Sequence, residues 1–165
     1  MTRLTGLPPV IGPATRVLVL GSFPGVASLR AQQYYGHPRN QFWKILGALW
    51  SKDLMVMTYE DRLTCVREQG LGIWDVYASC EREGSLDADI REPVLNDLAL
   101  VRAQCPGLQA IAHNGSESFR HARHTHALGL PVYRLPSTSP ANASWSFDRK
   151  LAAWAEVLRR HGVAP

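Results

Sequence analysis

The rhythm of apolar and polar positions changes several times along this 165-residue chain, and each change marks an element. Arg16–Leu20 carries an unbroken run of Val and Leu, the pattern of a short strand covered on both faces. Gln41–Trp50 puts Phe42, Ile45, Leu46 and Leu49 on one side of a helix. Tyr59–Gln69 reads as a more polar helix stopped at Gly70, and Gly72–Val76 as a second buried strand. Val94–Gln104 repeats Val94, Leu98, Val101 and Cys105 at helical spacing and stops before Pro106. Leu108–Ala112 is a third strand, Ser116–Leu128 a helix with Ser116 as its N-cap, and Pro131–Leu135 a fourth strand. Ser146 caps a last helix with the stripe Phe147, Leu151, Trp154 and Leu158, and Gly162 lies just past its end. Residues 1–15 and the polar stretch YASCEREGSLDADIRE are expected to be irregular.

Strands that alternate with helices imply a parallel sheet with right-handed crossovers. The expected fold class is α/β: a three-layer αβα sandwich with a central four-stranded parallel sheet, in one domain spanning 1–165. All strand carboxyl ends of such a sheet share one edge, where open α/β sheets bind ligands. Gly21–Pro24, Asp75, Asn114 and Ser137–Asn142 should converge there. The long Gly- and Pro-rich loop after the first strand should swing Asn40 over the same edge.

Composition narrows the picture. The chain has a net charge of +4 and a pI near 9.2, which suits a polyanionic partner. Arg30, Arg39, Lys44, Arg134 and Arg149 fall in or beside the candidate loops. No apolar run approaches the roughly 20 residues of a membrane span, and MTRLTGLPPVIGP lacks the apolar centre of a signal peptide. A cytoplasmic protein without membrane contact is expected. Cys65, Cys80 and Cys105 form no CxxC pair and read as reduced structural thiols rather than a zinc, disulfide or iron–sulfur framework. HARHTH has metal-like spacing but no nearby carboxylate, so it reads as a partly basic helix face.

The chemistry at the sheet edge is rich in amides, hydroxyls and aromatics. No Walker loop, GxGxxG, HExxH or GxSxG is present. Asn40 cannot act as a general base but can hold a water molecule. Asn114 can present C=O and N–H together, a match for a nucleobase edge. Phe42 and Phe23 could stack on a base, worth about 1–3 kcal/mol, or could be core residues. A Ser137–His113–Asp75 triad can be written, although Asp75 is equally well explained as a loop anchor. A serine hydrolase and a flavodoxin-like phosphate- or nucleotide-binding module, with PSTSPANAS as its phosphate loop, are the readings from other classes.

The motifs GSFPG, GHPRNQFW, GIWDVYASCEREGSLDADI, HNGSES and LPSTSPANAS, in this order, resemble the uracil-DNA glycosylase superfamily. Within it, the resemblance is nearest to the hypoxanthine-DNA (deoxyinosine) glycosylases. HPRNQFWKIL is also similar to the mismatch-specific uracil glycosylases, which makes that activity the alternative. The resemblance implies a monofunctional glycosylase that hydrolyses the N-glycosidic bond of deaminated bases, chiefly hypoxanthine, in base excision repair. It implies Asn40 as the catalytic residue, with Gly21, Ser22 and Phe23 around the departing base, and Phe42, Phe23 and Asn114 binding that base. Arg39, Lys44, Ser137, Thr138, Ser139 and Asn142 would contact DNA. The implied partner is DNA containing deaminated bases, met by a monomer at the nucleoid, with no cofactor and no metal. The chain departs from the superfamily at Phe23, where an Asp or Asn is usual, and at Leu135, where a His or Asn is usual. A leucine wedge is replaced by Ser139, Pro140 and Ala141.

Overall fold

The structure is a computed structural model that describes residues 2–165. The chain runs β1 (Arg3–Thr5), β2 (Val17–Gly21), α1 (Val26–Ala31), α2 (Phe42–Trp50), α3 (Tyr59–Gln69), β3 (Leu71–Asp75), β4 (Tyr77–Glu81) and β5 (Arg91–Leu95). It continues through α4 (Ala99–Gln104), β6 (Ala110–Asn114), α5 (Ser116–Phe119), α6 (Ala122–His126), β7 (Val132–Leu135) and α7 (Phe147–Arg160). The main sheet is parallel with order β3-β2-β6-β7, as the alternation of strands and helices requires. Every residue of β2 and β3 is buried, on both faces of the pleat, so layers cover the sheet on both sides. No helix among the described residues is long and apolar enough to cross a membrane.

The apolar face of α2 is the expected one: Phe42, Ile45, Leu46 and Leu49 are all buried. In α7 the buried positions are Lys150, Trp154, Ala155, Val157 and Leu158, while Phe147 and Leu151 are half-buried. The stripe is rotated because Lys150 turns inward to donate to Gln41 Oε1 at 2.9 Å. Thr58 and Ser146 cap α3 and α7 through their hydroxyl oxygens. Tryptophans tie the helices to the loops that matter below. Trp43 Nε1 donates to the Tyr34 carbonyl and Trp154 Nε1 to the Pro136 carbonyl, both at 3.0 Å.

Four local expectations are corrected. Arg3–Thr5 pairs antiparallel with β4, and β4 with β5, giving a second sheet of order β1-β4-β5 in segments that read as irregular. These strands carry no apolar alternation and are defined by backbone pairing across long separations. Val94 and Leu95 belong to β5, so α4 starts only at Ala99. The stretch Ser116–Leu128 is two short helices broken at Arg120–His121, with Gly115 at φ +96° in the cap position meant for Ser116. Its Ser, Thr and His residues are weak helix formers, and i→i−3 bonds such as His121 N to Ser118 O tighten the turns. The long loop after β2 contains α1.

Candidate active site

The carboxyl ends of β2, β3, β6 and β7 open into one cleft of about 910 Å³. Gly21, Ser22 and Phe23 line it after β2, Asp75 ends β3, Asn114 ends β6, and Ser137–Asn142 follow β7. Tyr35, His37 and Asn40 reach it from the loop before α2. The convergence follows from the parallel order of the strands, because each strand delivers its C-terminal loop to the same edge.

Asn40 is fixed by its own backbone. Its Oδ1 accepts from Phe42 N at 3.0 Å, covering an open amide at the start of α2, and its N–H donates to the His37 carbonyl. Gln41 N donates to the Thr138 carbonyl at 3.0 Å, locking this turn to the β7 loop. With Oδ1 tied to the helix entrance, the amide keeps its Nδ2 hydrogens and one lone pair free for the cleft.

Phe42 does not reach the cleft. It is fully buried, and the Tyr35 ring covers it in a stacked contact with centroids 4.0 Å apart. Tyr35 lines the cavity in its place. It sits at φ +54°, a conformation a bulky residue adopts only when its surroundings impose it. Phe23 does line the cleft, with the Arg82 guanidinium over its ring at 5.3 Å.

Asn114 is also corrected as a free reader of a base edge. Its Nδ2 donates to Tyr35 Oη at 3.2 Å and to Thr138 Oγ1 at 3.0 Å, and its Oδ1 accepts from Thr138 N at 3.0 Å. Both amide hydrogens are spent, so the side chain cannot offer C=O and N–H as a pair. Thr138 is buried and acts as the other half of this clamp, which takes it out of contact with DNA. Ser137 Oγ accepts from Ser139 N, and Asn142 Nδ2 donates to the Ser137 carbonyl, so the loop is shaped by its own side chains. Ser139 lines the cleft beside them.

The basic residues divide by location. Arg134 lines the cleft and donates to Ser116 Oγ, and Arg149 lies 4.3 Å over the ring of Trp145, which also lines it. Arg39 is exposed on the turn between His37 and Asn40. Lys44 borders a separate hollow with Trp43, Gly47 and Leu54, because it lies one helical face away from Asn40. Lys44 therefore lies outside this cleft, contrary to expectation.

His113 is buried, with Nδ1 bonded to Ser118 Oγ and Nε2 to Thr125 Oγ1, each at 2.8 Å. Burial pushes its pKa down to about 4, helped by His121 and His126. Its ring has no free nitrogen for Ser137, and the Ser137–His113–Asp75 triad does not form. The residue that sequence reasoning undervalued is Asp75. It is 5% exposed, lines the cleft, and its Oδ2 has no hydrogen-bond partner. Burial raises its pKa to about 7, reinforced by the charge of Asp87 and opposed by that of Arg82. The available signal was an acid closing an otherwise apolar strand, GIWD.

The family model for the uracil DNA glycosylase superfamily matches residues 8–158, which includes every cleft residue named above. The chain belongs to the uracil DNA glycosylase superfamily. A hypoxanthine DNA glycosylase of Methanosarcina barkeri is 37% identical to it over 94% of this chain and 98% of the relative. A second protein of that name, from Methanosarcina acetivorans, is 36% identical over 93% of this chain and 97% of the relative. A Methanosarcina acetivorans protein solved in solution, and assigned by its name to the uracil DNA glycosylases, superposes with a TM-score of 0.87 at 34% identity. That match covers 96% of this chain and 98% of the solved one. Within this superfamily fold, Asn40, Asp75 and the Asn114–Thr138 clamp are among the polar positions at the cleft.

Proposed function

We propose that the chain is a monofunctional DNA glycosylase that removes deaminated bases, chiefly hypoxanthine, by hydrolysing the N-glycosidic bond. The observation that carries this reading is the near full-length relationship to two hypoxanthine DNA glycosylases. The cleft supports it in chemical detail. The target nucleotide is flipped from the stack into the cavity. There the base stacks on Tyr35, whose far face is backed by Phe42, with Phe23 as further apolar wall. Stacking of this kind is worth about 1–3 kcal/mol per base. Asn40 accepts a hydrogen of one water on its remaining Oδ1 lone pair and so aims the oxygen of that water at C1′. The C1′–N bond breaks with its electron pair leaving on the base, the water oxygen bonds to the oxocarbenium-like sugar carbon, and the proton that this water gives up ends on the departed base. The products are the free base and an abasic site. The Gly21 and Ser22 carbonyls are held by Val76 N and Tyr77 N, which fixes the Gly21–Phe23 backbone beside the departing base.

Arg134 and Arg149 at the rim, with Arg39 beside Asn40, grip phosphates without reading sequence. One chain completes the cleft, so the enzyme works as a monomer, at the nucleoid that holds its substrate. The test is single-turnover excision from duplexes carrying one hypoxanthine or one uracil, followed by alkaline cleavage of abasic sites. Hypoxanthine release should exceed uracil release. Asn40→Ala should slow it by on the order of a hundredfold or more, with lesion-DNA affinity changed only a few-fold. Faster uracil release points to the mismatch-uracil branch, and no release of either base ends the glycosylase reading.

A further inference from the structure

We infer that Asp75 meets the flipped base as an un-ionised carboxylic acid, donating its O–H hydrogen to the base carbonyl and accepting the adjoining ring N–H. The inference rests on the glycosylase reading above and identifies the contact by which that site holds its base. The cleft leaves few candidates for such a contact. Asn114 has spent both amide hydrogens on Tyr35 and Thr138, and the free capacity of Asn40 is taken by the water that attacks C1′. Asp75 is buried at the cavity floor with Oδ2 unpartnered, a state that is expensive unless something else completes it.

The backbone makes room for this group. Gly21 pairs with Asp75 across β2 and β3. A Cβ on Gly21 would stand 2.5 Å from Asp75 Oδ1 and 3.2 Å from Tyr35 Oη, so only glycine leaves the carboxyl and the Tyr35 hydroxyl their places. The groups that face Asp75 favour the neutral form on balance. Tyr34 and Tyr35 supply no positive charge, and Asp87 from the turn before β5 adds a negative one. Arg82 attracts from a distance while bonded to the Pro24 carbonyl. Burial is the largest influence and holds the acid protonated up to about pH 7.

A neutral carboxylic acid presents a donor and an acceptor side by side. Hypoxanthine presents O6 and N1–H in the same spacing, and uracil presents O4 and N3–H. The two edges close a ring of two hydrogen bonds. An ionised carboxylate has acceptors only and would face the carbonyl lone pairs, so the contact is lost as Asp75 deprotonates. Guanine shares this edge, and its rejection falls to the space around C2, outside this contact.

Two readouts test the inference, one of them independent of catalysis. Binding of free hypoxanthine to the intact protein should weaken by about tenfold or more between about pH 6 and about pH 8.5. Asp75→Asn keeps a donor and an acceptor, so its binding should stay within a few-fold of wild type at the lower pH and lose the pH dependence. Asp75→Ala should bind weakly at both. Single-turnover excision should follow the same pattern, with folding of each variant checked by circular dichroism. Base binding that is flat with pH in wild type, or unchanged in Asp75→Ala, overturns the inference. So does an Asp75→Asn variant that binds hypoxanthine as weakly as the alanine variant. Wild-type protein that binds hypoxanthine with this pH dependence but excises nothing would fail the glycosylase reading and leave the contact standing.

Discussion

Asp75 and Asn114 end the two strands that flank β2, one on each side of Gly21, and the fold treats them in opposite ways. Asn114 is wrapped in partners: Tyr35, the Thr138 hydroxyl and the Thr138 amide. Asp75 is buried beside it with one oxygen unsatisfied. The amide is spent on architecture, joining the β6 end to the β7 loop and, through Thr138 and Gln41, to the start of α2. The acid is left open at the price of stability, which is the usual signature of a group completed by a ligand. A side chain with the right chemistry for a base edge is not free to offer it when the fold has already used its hydrogens.

The largest effect should come from filling the space between the two. Gly21→Ala pushes its methyl against Asp75 Oδ1 and should lower single-turnover hypoxanthine excision by roughly a hundredfold, a loss of positioning rather than of chemistry. Retention of wild-type excision would falsify the close packing of Gly21, Asp75 and Tyr35.

Stability against pH separates the two residues next. The Asp75 carboxyl rises from its ordinary 3.8 to about 7 on folding. It is neutral in both states at low pH, and its penalty grows as pH climbs from about 4 and is complete above about 7. At 1.36 kcal/mol per unit this is on the order of 4 kcal/mol. His113, lowered from 6.5 to about 4, acts in the opposite sense. The unfolded chain takes up that proton first, so stability is lost as pH falls from about 6.5 to about 4. The two slopes nearly cancel in the wild type. Asp75→Asn should be more stable near pH 8 by up to about 4 kcal/mol and should expose the His113 slope, measured by urea unfolding across this range. A flat profile in Asp75→Asn contradicts the His113 assignment, and an unchanged stability near pH 8 contradicts that of Asp75.

Asn114→Ala removes three hydrogen bonds and leaves buried Thr138 without its partners. It should cost about 2–4 kcal/mol in urea unfolding at neutral pH. A loss below about 0.5 kcal/mol would mean that the clamp contributes little. The smallest effect concerns the rim. Charge reversal at Arg39 should weaken binding to all DNA sequences several-fold and reduce the log–log salt slope by about one. The same change at Lys44, which faces the separate hollow, should leave both unaltered, and equal losses at the two sites would place Lys44 back on the DNA face.

The order of the motifs, the four parallel strands and the apolar face of α2 were determined by the sequence itself. Unbroken Val and Leu runs can only be satisfied by burial on both faces, and helices between such strands force parallel pairing. Asn40 was legible for the same reason, since a polar amide at a helix entrance after a Gly/Pro loop lies at the strand ends. The second sheet β1-β4-β5 was decided by tertiary structure, because its strands are defined by backbone pairing between residues as distant as Arg3 and Glu81. Phe42, with both a stripe position and a motif position, could be wall or core until Tyr35 was found stacked over it. The division of labour between Asn114 and Asp75 was likewise beyond the sequence. Hydrogen bonds are consumed by whichever neighbours the fold brings within reach, and the functional group is the one whose capacity remains unfilled.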